Sequence, residues 1–368
     1  MSVIKVLIID DSALVRQILS SIINETAGMK VIDTAQDPVF ALKKLEKIKP
    51  DVIMLDIEMP RMDGLTFLKN LMRDNPIPVV MCSTLTQKSS GTSIKALRLG
   101  AVEIVGKPTS NLKKEIGAQK KLIINAIRAA AKAKVRNLSI PAKMPPTILN
   151  TDKKQTADAI LPKLAKVSSK PSNRLIAIGA STGGTMALEY IISSLKIDVP
   201  GVVIVQHMPA AFTAAFSARL NSVAQVYVKE AEDGDMVETG KVLIAPGGKH
   251  MLINNRFGKL YVLIKEGPLV SRHRPSVDVL FRSIAQSAAK QTLGVIMTGM
   301  GDDGANGMKE MFDNGAFTVA QDEESCVVFG MPAVAIERGG VKKISPLSCI
   351  PKMINAFNRP VDFKQYLQ

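Results

Sequence analysis

The sequence predicts an α/β protein of two parallel-sheet domains: an N-terminal (βα)5 unit, a basic linker, and a larger, doubly wound, mostly parallel domain with an added β-hairpin. Three observations carry that reading. Short apolar runs of strand length alternate with stretches whose apolar residues recur every three or four positions, as in strands buried on both faces between amphipathic helices. At 368 residues the chain exceeds what one hydrophobic core ordinarily fills. Between Thr109 and Arg174, 15 Lys and Arg stand against 3 Asp and Glu, so most of the net charge of +15 sits between two nearly balanced regions.

In residues 1–108 the candidate strands are "VIKVLIID", "MKVIDTA", "DVIMLDI", "PVVMCS" and "AVEIVGK". Runs such as "SALVRQILSSIINET" and "PVFALKKLEKI" supply helices between them. Residues 109–173 read as the linker. Their first part has helical spacing at Leu112, Ile116, Ile123 and Ile127, and the later part is too polar and aperiodic to pack. From Arg174 to Gln368 the strand–helix rhythm resumes, and "HMLINN" and "KLYVLI" joined across "RFG" predict a hairpin at the sheet edge.

Composition removes several function classes. Cys82, Cys326 and Cys349 are scattered and odd in number, which offers neither a disulfide framework nor zinc spacing. No apolar run reaches the roughly 20 residues of a membrane span. "MSVIKVLIIDDS" lacks the basic leader of a signal peptide, so a cytoplasmic protein is expected. The high pI suggests nucleic acid, but the charge lies in the linker, and residues 174–368 offer no helix-turn-helix.

Ligands of open parallel sheets gather at the carboxyl ends of the strands. Asp10 and Asp11 end the first candidate strand, Asp56 the third, Ser83 the fourth and Lys107 the fifth, so all five converge on one rim. Three crowded carboxylates suit a magnesium ion, and one of them suits attack on a phosphoryl group. The order D-D, L-D-x-x-M-P and K-P resembles response regulator receiver domains over residues 1–108. That resemblance implies Asp56 as phosphoacceptor, Asp10, Asp11 and Asp56 as magnesium ligands, and Ser83 and Lys107 as the phosphate-sensing pair. Ile104 departs from it, standing where many receivers carry an aromatic switch residue.

The second rim starts at "IGASTGG". Gly179, Ser181 and Gly183 form G-x-S-x-G after a strand and before a helix, the context of a nucleophile elbow. It has no G-x-G-x-x-G and no Walker lysine for a nucleotide phosphate. Of the three histidines, His207 ends an apolar strand and is placed to act as base, whereas His250 and His273 read as structural or substrate-contacting. Asp302 or Asp303, after "LGVIMTGMG", would orient the imidazole.

"GASTGG", "VVIVQHMP", "RPSVDVLFRS" and "TGMGDDGANGM", following a receiver and a linker, resemble the chemotaxis protein-glutamate methylesterases. The resemblance implies Ser181 as nucleophile, His207 as base, Asp303 as its orienting acid, and Thr182 and Met300 beside the oxyanion. It implies hydrolysis of glutamyl methyl esters on chemoreceptor cytoplasmic domains, deamidation of receptor glutamines, and phosphorylation by the chemotaxis histidine kinase. Magnesium is expected at the receiver, no cofactor in the esterase half, and neither nucleic acid nor membrane insertion.

Overall fold

In the N-terminal half of a computed structural model, β1 (Ile4–Ile9), α1 (Ala13–Asn24), β2 (Met29–Ala35), α2 (Pro38–Leu45), β3 (Val52–Asp56), α3 (Gly64–Asp74), β4 (Val79–Ser83), α4 (Gln87–Arg98), β5 (Glu103–Gly106) and α5 (Glu115–Lys132) follow in order. The described residues are 3–83, 87–108, 115–135, 174–359, 363 and 365. The strands form one parallel sheet in the order β2-β1-β3-β4-β5. One face packs on α3 and α4 through Leu55, Phe67, Leu71 and Ala96. The other face packs on α1 and α5 through Ile8, Leu19, Ile23, Ile123 and Ile127.

The sequence reading assigns the stretch that forms α5 to the linker, yet this helix completes the first domain. Ile123 and Ile127 are fully buried against Val6, Ile8 and Val52, worth roughly 1.5–3 kcal/mol each. The Lys-rich outer face conceals that role, because composition averages over both faces of a helix. The linker residues 136–173 lie outside the described residues.

The C-terminal half runs β6 (Leu175–Ala180), α6 (Gly184–Ser193), β7 (Gly201–Gln206), α7 (Ala210–Val223), β8 (Tyr227–Glu230), β9 (Lys241–Ile244), β10 (His250–Arg256), β11 (Lys259–Lys265), α8 (Val277–Ser287), β12 (Thr292–Ile296), α9 (Ala305–Asp313), β13 (Phe317–Gln321), α10 (Met331–Glu337), β14 (Lys343–Ser345) and α11 (Ile350–Phe357). Seven parallel strands stand in the order β14-β13-β12-β6-β7-β9-β8. Helices cover both faces. The predicted hairpin forms, with β10 antiparallel to β11, but as a sheet of its own and not on the edge of the large one. Its apolar side, Met251, Ile253, Leu260 and Val262, is buried in the cluster that holds Phe281 and Ile284 of α8, so packing on that helix replaces edge pairing. Among the described residues no helix is long and apolar enough to cross a membrane.

The two halves meet where α4 and β5 lie against α6 and α7. Phe212 of α7 is buried in the cluster that holds Leu97 and Ile104, and Ile94 is buried among residues of the second domain. Arg98 pairs with Glu189 at 3.3 Å, and the Lys134 N–H donates to the Val327 carbonyl at 3.0 Å.

Candidate active site

Ser181 leaves β6 through a tight turn that its glycines permit. Gly183 has φ +79°, and a Cβ there would stand 2.5 Å from Val327 Cβ. The turn closes with the Gly184 N–H donating to the Ser181 carbonyl at 2.7 Å, and α6 begins there, so a helix N-terminus follows the serine within three residues. β7 runs parallel to β6 with Ala180 opposite Gln206. His207 therefore emerges next to Ser181, and its N–H donates to the Ala180 carbonyl at 3.1 Å. Asp303 comes from the other flank of β6, on the turn between β12 and α9.

His207 Nε2 lies 2.7 Å from Asp303 Oδ2. That carboxylate also accepts from the Val277 N–H on Oδ2 at 2.7 Å, and from Ser276 Oγ at 2.7 Å and the Asp278 N–H at 3.0 Å on Oδ1. Three of these donors belong to the start of α8, where the helix dipole favours negative charge. Burial opposes the charge on Asp303, but His207 and these hydrogen bonds outweigh it and hold the carboxyl below its ordinary range. An ionised Asp303 fixes the proton on Nε2. Nδ1 is then the nitrogen with a free lone pair, and it is buried without a hydrogen-bond partner.

Ser181, Thr182 and His207 line one crevice. Met300, half-buried on the loop after β12, is not among its lining residues. The choice between the paired aspartates resolves by location. Asp302 is substantially exposed and pairs with Arg272 at 3.5 Å and Arg338 at 3.3 Å, away from the imidazole. His250 is buried, and its Nε2 bonds the Pro268 carbonyl at 2.8 Å.

At the rim of the first sheet, single oxygens of Asp10, Asp11 and Asp56 all lie within 4.8 Å of one another. Lys107 Nζ stands 2.7 Å from Asp56 Oδ2 and 3.2 Å from Asp10 Oδ2, and Ser83 is buried at the end of β4. Burial pushes Asp56 up to about 6, with the charge of Asp10 adding to it against the pull of Lys107. Asp10 is likewise raised by burial.

A family profile described as CheB methylesterase matches residues 176–354, and one described as response regulator receiver domain matches 6–116. A protein-glutamate methylesterase/protein-glutamine glutaminase of Pseudomonas savastanoi is 53% identical over 95% of this chain and 98% of its own length. The chain belongs to the protein-glutamate methylesterase family. A relative of the same description in Shewanella oneidensis is 52% identical over 97% of this chain and 99% of its own. The crystal structure of the Thermotoga maritima CheB methylesterase catalytic domain is 39% identical, covers 50% of this chain and 97% of that one, and has a TM-score of 0.48.

In this methylesterase the receiver forms the opposite wall of the crevice, through Ile94, Leu97, Val102, Glu103 and Ile104. Thr182 Oγ1 donates to Glu103 Oε2 at 2.7 Å, and burial raises the Glu103 carboxyl against that bond. The space left is about 20 Å³, little more than the roughly 10–15 Å³ that one water needs. Sequence reasoning passed over Glu103. The available signal is an acid inside the apolar strand "AVEIVG", a placement that calls for a partner.

Proposed function

We propose that Ser181, His207 and Asp303 are the triad with which this methylesterase hydrolyses glutamyl methyl esters on chemoreceptor cytoplasmic domains, working in the cytoplasm. One observation carries the assignment: an imidazole clamped at Nε2 by an ionised aspartate, its other nitrogen bare, beside a serine on a glycine turn. Ser181 Oγ attacks the side-chain carbonyl carbon as His207 Nδ1 takes its proton. Backbone N–H groups at the start of α6 face the resulting oxyanion, with Thr182 beside it and Met300 on the neighbouring loop. His207 returns the proton to the departing methoxide, and methanol leaves. Water then attacks the acyl-enzyme, giving its proton to His207, which passes it to Ser181 as glutamate is freed. A glutamine substrate follows the same path with ammonia leaving. Methanol release from methylated receptor membranes, and ammonia release from glutamine-bearing receptor fragments, test the reading; a chain that yields neither would refute it.

Regulation follows from the occluded crevice. The residues at the first rim fit a magnesium ion. Hard oxygen donors face one ammonium, burial raises the proton affinity of Asp10 and Asp56, and Asp10, Asp11 and Asp56 would hold the ion. Bound there, magnesium would offset the charge of a phosphoryl group passing from the kinase to Asp56, with Ser83 and Lys107 gripping its oxygens. Asp56→Asn is therefore expected to abolish stimulation of methanol release by small phosphodonors while sparing basal turnover. Stimulation that persists would place the phosphoryl group elsewhere.

Swinging a docked population from 99:1 to 1:99 needs about 5.5 kcal/mol. Docking at 99:1 is itself worth only about half of that, about 2.7 kcal/mol. The Thr182–Glu103 hydrogen bond supplies about 1 kcal/mol, and the apolar contact around Phe212 and Ile94 with the Arg98–Glu189 and Lys134–Val327 contacts carries the rest. Glu103→Ala is expected to raise basal turnover of the unphosphorylated protein about fivefold. An unchanged rate would show that Glu103 does not hold the receiver down.

A further inference from the structure

His273, expected from the sequence to be structural or substrate-contacting, has its ring stacked on that of His207, with centroids 3.7 Å apart and planes inclined by 3°. We propose that His273 is a positioning residue for the hydrolysis, its imidazole a flat seat that sets the plane of the general base and faces the positive charge His207 bears during acyl transfer. The inference rests on the triad proposed above.

The loop around His273 is built to hold that ring. Val270 and His273 exchange backbone hydrogen bonds of 3.1 and 2.8 Å around Ser271 and Arg272, both left-handed, with φ +48° and +72°. A turn with two left-handed central residues ordinarily takes Asn and Gly, so Ser and Arg there carry backbone strain. Such strain persists only where the surroundings over-determine it. Here Ser271 Oγ donates to Asp278 Oδ2 at 3.0 Å, and Asp278 Oδ1 accepts from the Gly307 N–H at 2.8 Å. The helix start that clamps Asp303 thus also anchors the turn that carries His273.

The ring is also in the right protonation state. His273 Nδ1 lies 2.8 Å from the Ser271 carbonyl, so it carries the proton. Burial pushes the group down to about 4, with His207 and Arg272 acting the same way against Asp303, so the ring is neutral at pH 7. A neutral aromatic face attracts a cation, whereas a second imidazolium would repel it.

The test compares full-length wild type with His273→Ala, His273→Leu and His273→Phe in steady-state methanol release from methylated receptor membranes, with thermal unfolding of each variant. A misplacement of 1 Å costs ~100-fold, so Ala and Leu are expected to lower kcat roughly 10- to 100-fold with KM within about twofold. Phe, which restores a flat face without the ring nitrogens, is expected to recover kcat to within a few-fold of wild type. A Leu variant as active as the Phe variant, an Ala variant as active as wild type, or losses confined to KM would each overturn the proposal. Leu and Phe are both apolar and bulky, so a folding defect strikes them alike and the comparison survives it. Ser181→Ala in the same assay separates the two claims: if inactive while all His273 variants turn over normally, stacking alone fails; if fully active, the triad and the stacking fall together.

Discussion

Ser181→Ala is expected to lower kcat for methanol release by roughly 10⁴- to 10⁶-fold, with little change in KM and an unchanged melting temperature. Without the hydroxyl there is no acyl-enzyme, and water would have to attack the ester directly. The loss corresponds to about 5.5–8 kcal/mol of transition-state stabilisation. Folding is expected to hold, because the turn is fastened through backbone groups that alanine retains. The Ser181 N–H donates to the Thr298 carbonyl at 3.0 Å, and the Ser181 carbonyl accepts from the Gly184 N–H at 2.7 Å. Retention of turnover within tenfold of wild type would move the nucleophile elsewhere.

Asp303→Asn is expected to cost roughly 10⁴-fold in kcat and, unlike the serine change, to destabilise the fold. The carboxylate accepts from four donors: His207, Ser276, Val277 and Asp278. An amide offers one oxygen and turns two protons toward those donors, at ~1–3 kcal/mol for each buried donor left unpaired. His207 relieves one conflict by moving its proton to Nδ1, which removes the lone pair that Ser181 needs. Stability should carry a pH signature. Asp303 is held below its ordinary range in the folded chain, so its contribution is present above the unfolded value of about 3.9 and is lost as pH falls through the lower folded value. The gap in melting temperature between wild type and variant should therefore be full near neutrality and close in acid. A gap that stays constant down to pH 2 would mean that Asp303 does not stabilise as a carboxylate.

Both sheets and both rims are legible in the sequence because buried parallel strands are unbroken apolar runs and because residues just past their ends must share an edge. Asp56 after "VIML" and His207 after "GVVIVQ" are placed by that rule alone. Three features escape it for separate reasons. β14 has only three residues, "KIS", too few to show a period. The hairpin strands show where they turn but not what they lie on, since Met251 and Val262 would suit a sheet edge or a helix equally. His273 and Glu103 act across contacts between distant segments, and no local pattern encodes a ring stacked on residue 207 or a hydroxyl waiting at residue 182.

The strand order of the second sheet has a bearing on biosynthesis. β6 stands between β7, the next strand made, and β12, made more than a hundred residues later. A ribosome can thus deliver Ser181 and His207, the proposed nucleophile and base, early and as neighbours, while Asp303 arrives only when the late strand slots in on the opposite side. Until then the nascent polypeptide holds a serine and an idle imidazole, and no truncation ending before that insertion should hydrolyse anything. Turnover in this enzyme is accordingly a readout of completed folding.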